Sequence, residues 1–517
     1  MIMETEPLSS LQATLPHVGW RRLESFLGSV ERGQPENLVT PFLPDEWRSH
    51  ELEYGSWYAE SIARSGVDEF NAVEEREAQK FGPFSIRLPY SEREEGVLEY
   101  LTQKEVKENK FLLFAFDRIK RWIPKHSLLP VDFSDSYASM PKDSNLGLPW
   151  FTRDRSVAID YLKRARQLEA DGYTSQVYPA ALGWRGQPNG TNKPKQRVVW
   201  MFDHLDTVVG ITIQMPLLRA LRPRLEFAAW NELSVVDRAI TGMIDRTRFP
   251  ILSIDFSGFD KSLPGTVIHL AFELLRYWFV ERARRRIDWL ENTLLTVGLV
   301  TPKGILRDRS GGMPSGAALT NAVDSLCQLL LMYGHALSGT VLGDDGVYLF
   351  DHEVDLDELS SLFFNEYGMT ISSDKGSLSL DHVSYLQRVH LRTYRRHGLC
   401  VGVRSLTRTW NGATHRERGH SGLPPEFFSA RTIMQLENAK WHPKFREAVK
   451  YFWSVDKYAR ELDPSEIFLR SGGVRVVEEV LGLTAFRFGN ELPSQGLNTF
   501  ETVRELRSLN SGVRKVA

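Results

Sequence analysis

Along the middle of the chain, apolar runs alternate with short polar breaks in a pattern that predicts strands ending on carboxylates. Ile251 to Ile254 reads as a strand with Asp255 at its end, and the following turn leads to a second carboxylate, Asp260. Further on, Thr340 to Leu342 and Val347 to Phe350 are β-prone runs around Gly343-Asp344-Asp345-Gly346, which predicts a hairpin with an acidic tip. Between these elements a Gly/Ser/Pro loop, Ser310 to Gly316, opens a helix expected to continue through Leu337. Its Leu319, Val323, Leu326 and Leu330 fall at core spacing. Val267 to Leu295 predicts a further helical stretch that buries Leu270, Leu274, Leu275 and Trp278. Helical patterning returns over Pro425 to Leu436, Lys444 to Tyr458 and Pro464 to Leu483. Residues 1–80 are rich in turn formers and charges, with Trp20, Trp47 and Trp57 as docking aromatics.

The hairpin tip carries unusual chemistry. Hairpin turns ordinarily hold Asn-Gly or Asp-Gly, whereas Asp344 and Asp345 place two like charges side by side, which a divalent cation relieves. With Asp255 at the end of its strand, they form the donor set for two Mg²⁺ ions about 3.5–4 Å apart, one activating an attacking 3′-hydroxyl and one neutralising departing pyrophosphate. At the start of the intervening helix, Thr320, Asn321 and Asp324 share one polar face at spacings of three and four. A loop with an N-cap accounts for Ser315 but not for these three together.

Taken in order, these segments resemble the palm motifs of viral RNA-dependent RNA polymerases. Asp255 and Asp260 match the first motif, Ser315-Gly316 to Asp324 the second, and Gly343-Asp344-Asp345 the third. Asn365 to Thr370 with Asp374-Lys375 resembles the fourth, and Val383 to Arg388 the primer-grip motif. Upstream, Lys193 to Val198 is similar to the basic fingers motif, and Ser144 to Trp150 to the template-entry motif. The spelling Thr320-Asn321-Ala322-Val323-Asp324-Ser325 resembles the picobirnavirus and partitivirus type of double-stranded RNA virus. It places aspartate where picornavirus-like enzymes carry asparagine, so Asp324 facing Asp260 is repulsive unless Asn321, Ser315 or a proton intervenes.

The resemblance implies a helix-rich α+β fold, a closed right hand of fingers, palm and thumb. It suggests an N-terminal segment over 1–80, fingers over 81–249 and 266–305, palm over 250–265 and 306–395, and thumb over 396–517. The implied activity is template-directed nucleotidyl transfer from ribonucleoside triphosphates with Mg²⁺ (or Mn²⁺), replicating and transcribing a viral RNA genome. Asp255, Asp344 and Asp345 are the expected metal ligands, and Lys375 the acid for departing pyrophosphate. Asp260, Ser315, Gly316, Thr320, Asn321 and Asp324 are expected to bind the nucleotide. Lys195 and Arg197, alternate residues of an extended run, project to one face to clamp the triphosphate, with Lys193 beside them. Asn145 and Gly147 are expected to meet template RNA, and Arg388, Arg392 and Arg395 the nascent strand. Arg282 to Arg286 is a second candidate for phosphate contact. Partners implied are template and product RNA, ribonucleotides and viral capsid protein, in the virion interior and host cytoplasm.

Composition adds bounds. The chain has 517 residues, 42% hydrophobic and 25% charged, with net charge −2. That suits several subdomains around a large core and argues against a basic coat protein, while a polymerase can confine its positive charge to a channel. Cys327 and Cys400 fit no metal spacing and are expected as buried thiols. No run of about 18 apolar residues occurs and Met1 to Glu6 lacks signal-peptide character, so neither a membrane span nor a leader is expected. No internal repeat or phosphate-binding glycine loop of the ATPase type is found. A reverse transcriptase would carry a bulky gate against the 2′-hydroxyl where this chain has polar Ser315 and Asp324. A noncatalytic scaffold would not keep Asp255, Asp344 and Asp345 together.

Overall fold

The computed structural model describes residues 5–43, 50–102, 105–140, 144–191, 193–309, 311–372, 376–419, 422–472 and 497–514. Strands β1 (Ala180–Gln187) and β2 (Lys195–Met201) pair as an antiparallel hairpin. β3 (Ile251–Ile254) is buried along its whole length, as the apolar run predicts. β4 (Leu299–Thr301) and β5 (Gly304–Leu306) extend the first hairpin into a sheet ordered β2-β1-β4-β5. β6 (Ser338–Leu342) and β7 (Asp345–Leu349) form the acidic hairpin, and with β8 (Ser377–Ser379) they enclose β3 in the order β6-β7-β3-β8. A third sheet orders β9 (His382–Tyr385), β10 (Arg388–Leu391) and β11 (Val403–Arg404) as β11-β10-β9.

The main core lies between the β3 sheet and the helices Gly265–Trp278 and Thr320–Met332, and it includes Cys327. A second core gathers Tyr58, Phe81 and the helices Leu406–Thr414, Pro425–Glu437 and Phe445–Val455. Sheets and helices segregate in this way in an α+β fold. Cys400 is also buried, in a smaller cluster behind β3 and β7. No helix among the described residues is long and apolar enough to cross a membrane.

Four helical expectations shift, one of them where Asp456 divides Lys444–Tyr458 into Phe445–Val455 and Lys457–Glu461. The helix after the glycine loop ends at Met332, not Leu337, because the chain must turn back into the sheet, where the Leu337 amide bonds the Leu349 carbonyl. Val267–Leu295 is split into Gly265–Trp278 and Arg284–Thr296. Residues 126–128 break it: the His126 and Leu128 amides take the Tyr277 and Trp278 carbonyls, and the Leu128 carbonyl takes the Val280 amide. The last, from Pro464, ends at Arg470, and its predicted continuation to Leu483 lies outside the described residues, as does Trp47. Of the other docking aromatics, Trp20 is buried, while Trp57 stays exposed with its ring 5.3 Å from Tyr451. Pro216 sits inside the helix His204–Leu221, and the Thr212 carbonyl it deprives of a partner is taken by the Val131 amide.

The N-terminal residues tie distant elements together. Glu6 bonds Ile305 of β5 through both backbone groups, and the Thr40 amide bonds the Thr414 carbonyl. Glu74, buried in the helix Asp68–Ala78, caps another helix: its carboxylate accepts from Ser405 Oγ and from the Leu406 and Thr407 amides at 2.8–2.9 Å. His442 Nε2 lies 3.2 Å from the same carboxylate. Burial alone would raise the Glu74 pKa, but the His442 bond and charge and the Thr407 bonds outweigh it and hold it below the ordinary glutamate value. A lowered carboxyl stabilises the fold above its unfolded pKa of about 4.3, and that stability is lost as pH falls through the lower folded value. Glu74→Ala should therefore cost about 3–5 kcal/mol at neutral pH in denaturant unfolding, and the gap from the parent should narrow below about pH 4.

Candidate active site

Register builds the acidic centre. β3 pairs with β7 as Leu252 with Tyr348, Ser253 with Val347 and Ile254 with Gly346, so the next positions in register are Asp255 and Asp345. Leu342 and Asp345 close the β6–β7 hairpin around a two-residue turn, Gly343-Asp344. Gly343 takes φ +60°, a value glycine meets without strain. Asp345 is thus the first residue of β7 and half-buried, while Asp344 stands exposed at the apex. The helix Thr320–Met332 braces this turn from below. Ser325 Oγ accepts from the Gly343 amide at 2.9 Å, and Gln328 Nε2 donates to the Asp344 carbonyl at 3.0 Å.

The carboxylates are crowded enough to perturb one another. Burial, then the charges of Asp344 and Asp255, raise the Asp345 pKa to about 7, against the pull of Arg408 and Arg197. Asp260 is raised by burial and by Asp344, against Arg197 and a hydrogen bond from Ser315. Asp324 is buried and raised further, by desolvation and then by Asp260 and Asp344; its Oδ1 has no hydrogen-bond partner. Repulsion between Asp324 and Asp260 is therefore real. Ser315 relieves Asp260, whereas Asn321 is engaged elsewhere: its Oδ1 accepts from Trp230 Nε1 at 3.0 Å.

Among the described residues no group of three or more His, Cys, Asp or Glu side chains converges as a metal cage. Mg²⁺ is ordinarily held by one or two carboxylates completed by water and substrate phosphates, so a cage made wholly of protein is not what such a site requires. The mutual repulsion at Asp345 and Asp260 and the unpaired oxygen of Asp324 fit a site that a cation would relieve.

The loop ahead of the helix is tied to this centre. The Met313 amide bonds the Asp260 carbonyl, and the Trp200 amide of β2 bonds the Ser315 carbonyl at 2.9 Å. Gly316 has φ +135°, and a Cβ there would lie 2.1 Å from the Trp200 carbonyl oxygen, so only glycine lets the loop run so close to β2. Thr320 Oγ1 reaches back toward the Pro314 carbonyl at 3.5 Å. Arg309 is buried over the Trp200 ring and donates to the Gly311, Gly312 and Leu294 carbonyls.

The cationic residues separate into distinct roles. Lys195 and Arg197 are alternate and exposed on β2, and the Arg197 charge reaches Asp260 and Asp345. Lys193 is also exposed but pairs with Glu92 at 3.2 Å. Asn145 accepts from the Gly147 amide at 2.8 Å, forming its own turn. A Cβ on Gly147 would strike the Phe202 carbonyl at 1.8 Å. Arg388 is a correction: it is buried, and its Nη1 donates to the Gly402 and Asn438 carbonyls, so it supports the sheet and does not present a guanidinium to a nascent strand. Arg286 is likewise buried against Glu169, Tyr173 and Thr212. Arg392 donates to the Leu380 carbonyl, and Arg395 pairs with Asp245 at 2.5 Å. Asp374 and Lys375 lie outside the described residues.

A cation that sequence reasoning missed reaches the acids as well. Arg408, at the start of the helix Leu406–Thr414, lowers Asp345, and Arg404, at the end of β11, lies four residues before it. Burial, then Arg408 and Arg388, push Arg404 down to about 9. The acid reaching this group is Glu77, 3.4 Å from Arg408. Their spacing of four was the available signal, but it falls beyond the recognisable motifs.

Fold and site together define a polymerase of the right-hand class, with its acids on the palm sheet and the charges of Arg197 and Arg408 reaching them. Residues 89–441 match the family model for viral RNA-dependent RNA polymerase. The chain belongs to that family. It is 28% identical over 468 residues to a potential RNA-dependent RNA polymerase of a human picobirnavirus, covering 84% of this chain and 85% of that one. It is 26% identical over 289 residues to an RNA-directed RNA polymerase of Cryptosporidium parvum virus 1, covering 50% and 53% of the two chains. The crystal structure of a human picobirnavirus RNA-dependent RNA polymerase superposes with TM-score 0.76 at 24% identity, covering 96% of this chain and 99% of that one.

The close approach at Gly316 makes a local prediction. Gly316→Ala should cost about 1–3 kcal/mol in denaturant unfolding, because the added Cβ meets the Trp200 carbonyl oxygen and the φ of +135° disfavours any other residue. It should cut nucleotide incorporation about tenfold or more by displacing Ser315 from Asp260, as measured by steady-state extension of a primed template.

Proposed function

We propose that this RNA-dependent RNA polymerase works by two-metal nucleotidyl transfer, with Asp255 and Asp344 as principal ligands and Asp345 as the more peripheral one. The observation that carries this is the register that sets Asp255 next to Asp345, one residue from Asp344 at the exposed turn. When bound, Mg²⁺ (or Mn²⁺) would supply activation of the attacking 3′-hydroxyl and charge neutralisation at the leaving pyrophosphate. The chain's own residues do the rest. Arg197 and Lys195 face the same centre from β2 and take the triphosphate, the guanidinium as a planar fork and the ammonium as a point charge. Ser315, Asn321 and Asp324, with Asp260, read the ribose. Gly316 and Thr320 set the shape of the loop and helix start that carry them. Arg408, whose charge also reaches Asp345, adds a further cation for phosphate. Lys375 is assigned by its motif alone as the acid for pyrophosphate.

The same reading extends to the division into N-terminal segment, fingers, palm and thumb at the boundaries given above, and to template contact near Asn145 and Gly147. It extends also to replication and transcription of a double-stranded RNA genome within a particle, where capsid protein is a further partner.

Asp344→Ala tests the metal assignment. Loss of a ligand to a cation that serves both attacking and leaving oxygens costs several kcal/mol, so incorporation should fall by about three orders of magnitude. The exposed position of Asp344 means that the unfolding midpoint should hold. Near-normal incorporation overturns the assignment. Asp324→Ala tests the ribose reading. It should lower the preference for ribonucleotides over deoxyribonucleotides about tenfold, in kcat/KM measured with matched pairs. Equal losses on both substrates would make Asp324 a structural residue.

A further inference from the structure

The helix His204–Leu221 turns three residues, one turn apart, toward a single residue of the glycine loop. Asp206 Oδ2 accepts from the Ala318 amide at 3.0 Å, and Gln214 Nε2 donates to the Ala318 carbonyl at 2.9 Å. Between them, a Cβ on Gly210 would stand 2.5 Å from the Ala318 Cβ. Positions i, i+4 and i+8 share one helix face, so an acceptor, a gap and a donor are matched to the amide, side chain and carbonyl of one residue.

A loop staple alone does not call for this arrangement. Asp206 is 3% exposed, and a carboxyl there carries a desolvation cost that an apolar residue would avoid. Ala318 is also the pivot of the site: Ser315, which bonds Asp260, lies three residues before it, and Asn321 lies three residues after it. At its entry the same loop is held by Arg309 through the Gly311 and Gly312 carbonyls. The loop is thus tied at both ends, at Gly311 and Gly312 and again at Ala318 just before the helix Thr320–Met332.

We propose that Asp206 and Gln214 are positioning residues for sugar selection, clamping Ala318 so that Ser315, Asn321 and Asp324 meet the incoming ribose in fixed relation. The proposal rests on the reading that those three residues face the ribose. It adds a specificity determinant on a helix that does not itself touch the nucleotide.

The test compares Gln214→Met, Asp206→Ala and Asp206→Asn in the full chain with CTP and dCTP, alongside hydrogen exchange of residues 313–319. Gln214→Met and Asp206→Ala should lower the ratio of kcat/KM for CTP over dCTP about tenfold, chiefly through the KM for CTP, and speed exchange of the loop. Asp206→Asn keeps an acceptor for the Ala318 amide and should retain most of the ratio. Should Asp206→Ala fail to fold, the half-buried Gln214 decides the matter. Unaltered loop exchange in Gln214→Met overturns the clamp. Faster exchange with an unaltered ratio, where Asp324→Ala does lower the ratio, overturns its role in sugar choice. An unaltered ratio in Asp324→Ala strikes the underlying ribose reading instead.

Discussion

Repulsion between carboxylates is the constraint around which this molecule is organised. Asp260, Asp324 and Asp345 are raised first by burial and then by neighbouring carboxylates: Asp344 acts on all three, Asp260 on Asp324 and Asp255 on Asp345. Left to themselves, such groups would separate or protonate. Strand register prevents separation: a one-residue slip of β3 against β7 would exchange the side chains that the two packed faces of the sheet present to their cores, so Asp255 and Asp345 stay side by side. The stability of the apolar sheet and core thus holds in place a charge arrangement that is unfavourable in isolation. A site so held is poised to gain free energy when cations and a triphosphate arrive.

Around that centre the supporting bonds run mostly to backbone. Ser325, Gln328, Arg309, Asp206 and Gln214 fix peptide groups of the acidic turn and the glycine loop, and leave the carboxylates of Asp344 and Asp345 out of these bonds. Trp230 is an exception, since it holds the Asn321 side chain itself. One helix, Thr320–Met332, carries both Asn321 at its start and the braces for the Gly343-Asp344 turn. The start of this helix, which we propose reads the nucleotide, and the acidic turn are therefore mechanically joined.

What could be read from the chain follows from the range over which each signal acts. The strand before Asp255 and the hairpin around Asp344 are local patterns of apolar alternation and turn residues, and both appear where the pattern puts them. β7 begins earlier than expected, at Asp345, because pairing with Leu342 recruits a residue that its charge assigns to the turn. Helix ends were less legible. The break at Trp278 is made by backbone groups of residues 126–128, far away in sequence, and no local pattern announces it. The same holds for Trp230, Asp206 and Gln214, whose function lies in what they touch across the fold.

Arginine shows the limit most clearly. Arg388 and Arg404 are register partners across β10 and β11, yet Arg388 is spent on backbone carbonyls while Arg404 lies beside Arg408 and Glu77. A guanidinium has the same residue code whether it satisfies buried carbonyls or awaits phosphate, and only its partners tell the two apart. The same distinction explains how a chain of net charge −2 can serve a polyanion. Exterior lysines and arginines such as Lys193, Lys303 and Arg395 are matched by Glu92, Glu94 and Asp245. The charges of Arg197 and Arg408 also reach Asp345, Arg408 doing so while it is paired with Glu77. Attraction for phosphate then depends on where the cations are concentrated and how far burial strengthens them, and the sum over the chain carries little of that information.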